Sequence, residues 1–399
     1  MLPVELLLQI FEQLHDDRPT LLNLLLVSHH FSQLSESILY ADVTLKPARL
    51  SSSDSHSGSR RTVLACFAES LSSPPSSGSL RPHRNRRGST VKRLFIDGSD
   101  IPSIAQAEYE QLDLILTKLP HLQSFHFIHL GSAVRWSPFA TSRITAPPFQ
   151  LTRLIFNADI HLSHASKMAH GFLASQTKLE HLEIGSIIEE ALASTNSDSA
   201  VVAGHPSPVV PSSLRILETS ALDFFLDTGK TSNLTHLKLS SSAGSRLDTL
   251  INSPPPGPLK NLRVLSTSRT PHLPSMESSG SPSAIATTLL PNLEYWELRS
   301  EWVDLAAFLQ DPCVRRFLVA LPRLRGIRFS ADVAVPSREG VVETFESVLG
   351  LKFIEVRVRR KREAFERYYR GEEKPRLVQW RCEEETEWCQ TWEHDASAS

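Results

Sequence analysis

The sequence predicts an α/β protein in which a three-helix N-terminal module precedes an irregular solenoid of repeated units built on a parallel sheet. Three observations carry this. The first forty residues are dense in leucine at helical spacing. A trio of apolar residues, with two variable positions inside its first gap and one inside its second, then recurs ten times. Between the trios lie stretches with the three- and four-residue apolar spacing of helices.

The first helix starts at Pro3, which suits a helix's first turn because its missing N–H costs nothing there. Glu5 favours the positive end of the helix dipole. Leu6, Leu7, Ile10, Phe11 and Leu14 form one apolar stripe. Asp16, Asp17 and Pro19 break that pattern and start a second helix near Thr20, carrying Leu21, Leu22, Leu24, Leu25, Leu26 and Val27. A third leucine-rich stretch closes at Ile38, Leu39 and Tyr40. Three helices this short cannot bury so much leucine against each other, so part of it is expected to face a partner.

The order and spacing of Leu2-Pro3, the first-helix aliphatics and the Val27-Ser28 region resemble an F-box, with Tyr40 where the family commonly has tryptophan. The resemblance implies docking to the Skp-type adaptor of a cullin–RING ubiquitin ligase, and through it to the cullin. Carried over residue by residue, the adaptor contacts are Leu2, Pro3, Leu6, Leu7, Ile10, Val27, Ser28 and Phe31. The alternative from the residues alone is a leucine-rich cap over the next domain.

The repeats follow in order. The trios are Val91/Leu94/Ile96, Leu122/Phe125/Phe127, Leu151/Leu154/Phe156, Leu179/Leu182/Ile184, Leu214/Leu217/Thr219, Leu234/Leu237/Leu239, Leu262/Leu265/Thr267, Leu293/Trp296/Leu298, Leu324/Ile327/Phe329 and Leu351/Ile354/Val356, the last being the weakest. Their middle residues lie 20 to 35 positions apart, about 29 on average. The last two members of each trio are two apart and so share one face of a short strand. Helical spacing in Tyr109/Leu112/Leu116/Leu119, Met168/Phe172/Leu173, Leu305/Phe308/Leu309 and Val341/Phe345/Val348 supplies the return segments. Period and pattern resemble leucine-rich repeats, though the asparagine usual after the third apolar residue is largely missing. An ordinary α/β domain is the alternative. The whole arrangement resembles a fungal F-box/leucine-rich-repeat protein.

The expected organisation is an F-box at 1–45 and a Ser/Pro/Arg-rich linker with a short helix near Thr62–Leu71 at 46–88. Divergent repeats follow at 89–357, then a charged C-terminal cap or tail at 358–399. Ser-rich stretches such as Ala193–Ser213 and Thr270–Ala284 read as loops inserted between repeats. Trp380, Trp388 and Trp392 interleave with Glu383, Glu384, Glu385 and Glu387, as a terminal cover would.

Composition bounds the rest. The 399 residues are 40% hydrophobic and carry a net charge of −2, which argues against a nucleic-acid binder despite basic runs at Arg81–Arg93 and Arg357–Arg362. Four scattered cysteines complete no zinc pattern. His161, His164 and His170 near Asp159 lack a defined fourth ligand, so no metal and no cofactor is expected. No segment is long and apolar enough to span a bilayer and no secretory signal is visible, so the expected place is intracellular, cytoplasmic or nuclear, with no membrane partner. Glycine-rich phosphate loops, nucleophile elbows and metalloprotease helices are missing, and no catalytic residue is expected.

The resemblance then implies a non-catalytic substrate receptor whose repeats hold a target protein; the alternative is an interaction scaffold outside ubiquitin transfer. Variable positions on the strands would form the target surface, chiefly His126, His181, Glu183, His236, Lys238, Tyr295, Arg325 and Arg328.

Overall fold

The computed structural model describes residues 3–15, 17–47, 62–72, 87–100, 104, 106–130, 147–188, 211–220, 233–239, 259–268, 290–299, 305–329, 338–357, 364–372 and 374–379. Leu2, Asp16, the first basic run from Arg81 to Arg86, most of the second, Cys382, Cys389 and the tryptophans beyond 379 lie outside them. The chain divides into two compact units, Met1–His205 and Pro206–Ser399.

Unit 1 opens with α1 (Val4–Gln13), α2 (Arg18–Leu24) and α3 (His29–Leu39). A parallel sheet follows, in the order β1 (Asp42–Leu45), β2 (Arg93–Asp97), β3 (Ser124–Ile128), β4 (Arg153–Asn157) and β6 (His181–Ile184). The segment β5 (Ile160–His161) pairs separately with β7 (Ile187–Ile188). The returning elements are α4 (Val63–Ser72), α5 (Arg87–Thr90), α6 (Gln106–Thr117) and α7 (Leu162–Lys167). A π-helical turn, Met168–Leu173, continues α7 and buries Met168, Ala169, Phe172 and Leu173.

The apolar trios explain the sheet. Leu94, Phe125, Leu154 and Leu182 stand in one cross-strand row, and Ile96, Phe127, Phe156 and Ile184 in the next. All eight are buried, and Phe127 stacks on Phe156 with centroids 5.0 Å apart. Leu112, Ile115 and Leu116 of α6 are buried as well, whereas Leu114 is exposed, so the helix buries one stripe.

Unit 2 continues with β8 (Ile216–Thr219), β9 (His236–Leu239), β10 (Val264–Thr267), β11 (Tyr295–Leu298), β12 (Gly326–Phe329) and β13 (Phe353–Arg357), all parallel. Its helices are α8 (Leu305–Gln310), α9 (Pro312–Val319) and α10 (Arg338–Ser347). Asp311 starts α9 by accepting from Cys313 N at 2.7 Å and Val314 N at 3.3 Å, with Pro312 at the first helical position. Trp296 fills the space between sheet and helices, edge-on to Phe317 at 5.6 Å and Phe308 at 6.2 Å. Two further strands, β14 (Ala364–Tyr369) and β15 (Arg376–Gln379), run antiparallel and close the strand order after β13. Gly371, with φ of 79°, sits in the turn between them and needs the left-handed region that glycine tolerates.

The missing repeat asparagines have local substitutes. Gln176 is fully buried; its Oε1 accepts from Leu151 N at 2.7 Å. Gln150 reaches the other way, its Nε2 donating to Ser175 O at 3.0 Å and its Oε1 accepting from Thr177 N at 3.0 Å. Asn233 and Asn292 donate to Ser212 O and Lys260 O, each at 2.7 Å. These amides tie one unit's turn to its neighbour's. Replacing Gln176 by leucine leaves the Leu151 N–H buried without its acceptor. Such a group costs about 1–3 kcal/mol. A urea-unfolding midpoint lowered accordingly is the expected result.

Candidate functional site

The helical module is built around Phe11, Leu21 and Leu34, with Leu7, Leu8, Leu14, Leu24, Phe31, Ile38 and Leu39 packed on them. The rings of Phe11 and Phe31 meet edge to face at 5.3 Å. Both later helices are capped. Asp17 accepts from Thr20 N at 3.1 Å and from the Thr20 hydroxyl at 2.6 Å, bonds that lower its carboxyl pKa. The Ser28 hydroxyl accepts from Phe31 N at 3.1 Å. These caps fix the entry of α2 and α3 and therefore the angles between short helices.

So small a core leaves apolar side chains outside. Leu6 and Ile10, one turn apart on α1, are 45% and 47% exposed. On α2 Leu22 is 54% exposed, and in the turn after it Leu26 and Val27 reach 86% and 63%. Among the expected docking residues, Pro3, Leu6, Ile10 and Val27 are exposed. Leu7 and Phe31 are half-buried against the module's own core, and Ser28 is exposed while its oxygen serves as a cap. Leu22 and Leu26 were not in that set, although the all-round apolarity of the second helix carried the signal.

The F-box-like family model matches residues 1–46. No curated protein matches the chain. Among solved structures, the crystal structure of a TLR13–ssRNA13 complex is similar at 14% identity, with a TM-score of 0.29. That match covers 68% of this chain and 33% of that one, so the chain spans about a third of that protein.

The F-box-like segment takes in α1 to α3 and ends in β1, which pairs with β2 in the register Asp42↔Arg93 to Leu45↔Ile96. The segment is thus joined to the first repeat strand by backbone hydrogen bonds. Arg93 adds a forked side-chain pair with Asp42. An open cleft of about 780 Å³ lies beside this joint, between Leu8, Glu12, Ile38 and Leu39 on one side and Lys92 and Arg93 on the other.

The strand positions opposite the core behave differently in the two units. In unit 2 the cross-strand row Glu218, Lys238, Ser266, Glu297, Arg328, Glu355, Arg367 forms matched pairs. Lys238 meets Glu218 at 2.6 Å, Ser266 donates to Glu297 at 2.7 Å, and Glu355 takes Arg328 at 2.6 Å and Arg367 at 2.5 Å. The adjacent row sets Val264, Tyr295 and Phe353 in one apolar cluster with Ile216 and Tyr369. Arg328 is 2% exposed, and His236 and Tyr295 are buried too. The expectation that these three present an open polar surface is therefore corrected. Long neighbours in register neutralise and cover one another, which spacing along one strand does not reveal. Lys238 is half-buried in its ion pair, and Arg325 remains half-exposed, 3.9 Å from Glu294.

In unit 1 the corresponding rows are Asp42, Arg93, Ser124, Arg153, His181 and Thr44, Phe95, His126, Ile155, Glu183. His126, His181 and Glu183 are half-exposed. Burial, with the Arg153 and Arg93 cations nearby, pulls His126 down to about 4. Burial next to Arg263 does the same to His236, also to about 4.

Both imidazoles are neutral in the folded chain at pH 7. In the unfolded chain they take up protons below their ordinary value of 6.5. Unfolding therefore binds protons between pH 6.5 and 4, and stability falls as pH drops through that window. For His236 the loss approaches about 3 kcal/mol, with less from half-exposed His126. Unfolding midpoints at pH 7 and pH 4.5 check this: His236→Gln should shrink the difference between them.

His161 and His164 lie with ring centroids 6.4 Å apart, and among the described residues no group of three or more His, Cys, Asp or Glu is arranged to hold a metal. Among the same residues no helix is long and apolar enough to cross a membrane.

Proposed function

We propose that this chain is the substrate-recognition subunit of an SCF-type cullin–RING ubiquitin ligase. The observation that carries the reading is the F-box-like match over residues 1–46 together with the exposed aliphatics Leu6, Ile10 and Val27 on that segment. An apolar set of this kind on a capped helical module is stabilised by covering it with a partner. The partner in this reading is a Skp-type adaptor, which connects to the cullin. The strand and helix repeats hold a target protein in the manner of a leucine-rich-repeat receptor, through half-exposed positions such as His126, His181, Glu183 and Arg325. The chain contributes no catalytic group; it raises the concentration of a target lysine near a charged ubiquitin-conjugating enzyme. In this reading the domain order is F-box, linker, repeats and charged terminal segment, as in fungal proteins of this type.

Co-purification of the full chain with a Skp adaptor, beside a variant lacking residues 1–46, tests it. Stoichiometric retention lost on deletion is the expected result. A folded full-length chain that retains no adaptor overturns the assignment and leaves a repeat scaffold.

A further inference from the structure

The sheet faces of the two units seal themselves to different degrees. In unit 2 one row of the face is made of answered charges, and the row beside it, with Val264, Tyr295 and Phe353, is at most 6% exposed. In unit 1 the middle row is apolar and stays partly open. Phe95, His126 and Ile155 follow one another in register on β2, β3 and β4. Alternation puts Ile128, two residues after His126, on the same face, in the next row with Asp97 and Asn157. Phe95, His126 and Ile128 are half-exposed, while Ile155 is 4% exposed and forms the floor. The His126 ring meets Phe95 edge-on at 6.0 Å and is neutral at pH 7, so it extends the strip as an aromatic ring rather than as a cation. Toward β1 the charges are answered in place, Arg93 by Asp42 and Lys46 by Asp97 at 3.1 Å. Toward β6 the row ends on the half-exposed Glu183.

We propose that the strip of Phe95, His126, Ile128 and Ile155 takes an aromatic or large aliphatic side chain of an extended target segment, with a lysine or arginine two positions away directed to Glu183. The strip carries no fixed charge, so apolar area is what a partner covers there. The carboxylate at its end sets the sign of the flanking residue, because an acidic group in that place meets Glu183 with like charge. The spacing follows from strand geometry. Residues two apart on an extended chain point to the same side and stand about 7 Å apart. Glu183 lies two strand spacings, about 10 Å, from His126, and the length of a lysine or arginine covers the difference.

The proposal deepens the target-receptor reading and rests on it. The test uses the full chain with bead-bound degenerate peptide libraries that carry a fixed phenylalanine and a lysine two positions to either side. Control libraries replace the phenylalanine by serine, or the lysine by glutamate or phosphoserine. The expected result is retention on the phenylalanine and lysine beads about tenfold or more above each control. Phe95→Ala and Ile128→Ala should each reduce that retention severalfold. Leu349→Ala, an apolar truncation at a position of unit 2 that is 83% exposed, should leave it unchanged. Glu183→Gln should remove the preference for lysine over glutamate and keep the preference for phenylalanine over serine, a split that a merely structural role would not produce. Phe95→Leu keeps an apolar side chain and should retain most of the binding, which separates a lost contact from lost folding. Equal retention of the phenylalanine and serine libraries, tighter retention with glutamate or phosphoserine, or an equal loss in Leu349→Ala overturns the proposal. So does a dimer in sedimentation that Phe95→Ala dissolves, since the strip is then a contact between copies. Adaptor co-purification of the same variants separates the two readings: lost peptide retention with intact adaptor binding touches the unit 1 face alone.

Discussion

Replacing Leu6 and Ile10 together by aspartate should abolish retention of a Skp-type adaptor while leaving the melting of the chain nearly unchanged. Both side chains are about half exposed, and neither belongs to the cluster of Phe11, Leu21 and Leu34 that holds the module together. Their loss therefore removes little folding energy. In an interface, by contrast, aliphatic anchors at the centre of a desolvated patch account for about 2 kcal/mol or more each, and a buried unpaired carboxylate adds a penalty of its own. Two such changes weaken binding by more than about a thousandfold. Phe31→Ala is the informative contrast. Phe31 packs edge-on against Phe11, so its truncation should unfold the module and lower thermal stability along with binding. If the aspartate pair binds adaptor as the unaltered chain does, the docking face lies elsewhere, and Leu22 and Leu26 become the next set to alter.

The second large effect is expected at Glu355. Its carboxylate is fully buried and takes charge-assisted bonds from Arg328 and Arg367 on the two flanking strands. Arg367 also lies over the Phe353 ring at 4.8 Å and donates to the Tyr369 hydroxyl at 3.2 Å. Glu355→Ala strands two buried guanidinium groups at once. Breaking one side of a buried ion pair costs about 3–5 kcal/mol. The expected result is a matching fall in the unfolding free energy of unit 2, with protease cleavage after Arg367 or Arg370 among the first signs. Glu355→Leu combined with Arg328→Met and Arg367→Met should recover much of the loss, because an apolar group of similar volume replaces a desolvated network. A single Glu355→Ala change that costs under about 1 kcal/mol would mean the arginines find water, contrary to their burial.

Much of this fold is legible in the sequence because the trios do two things at once. Leu94, Phe125, Leu154 and Leu182 announce strands by alternation and set register by burial, since a slip of one residue would turn each to the other face. The strand β1 was hidden for the opposite reason. Its apolar pair Val43 and Leu45 lacks the leading leucine of the other copies. The strands β14 and β15 read as charged terminal sequence, yet Arg367 is neutralised by Glu355 on β13. Long-range pairing of that kind leaves no local periodicity. At the helical module, spacing identified the three helices but not which apolar side chains face outward. A helix apolar over most of its circumference gives no such sign, and Leu7 and Leu6 sit on opposite sides of that choice.

The direction reversal after β13 bears on how such an array changes length over evolutionary time. Between parallel strands, a duplicated unit inherits the same register on both sides and slots in wherever a turn permits. Beyond β13 it does not. A copy inserted there would have to separate Phe353 from Tyr369 and Glu355 from Arg367 before pairing with either strand. An added unit therefore fits between parallel strands without loss of pairing, whereas one placed after β13 breaks the block that the last parallel strand forms with the antiparallel pair behind it.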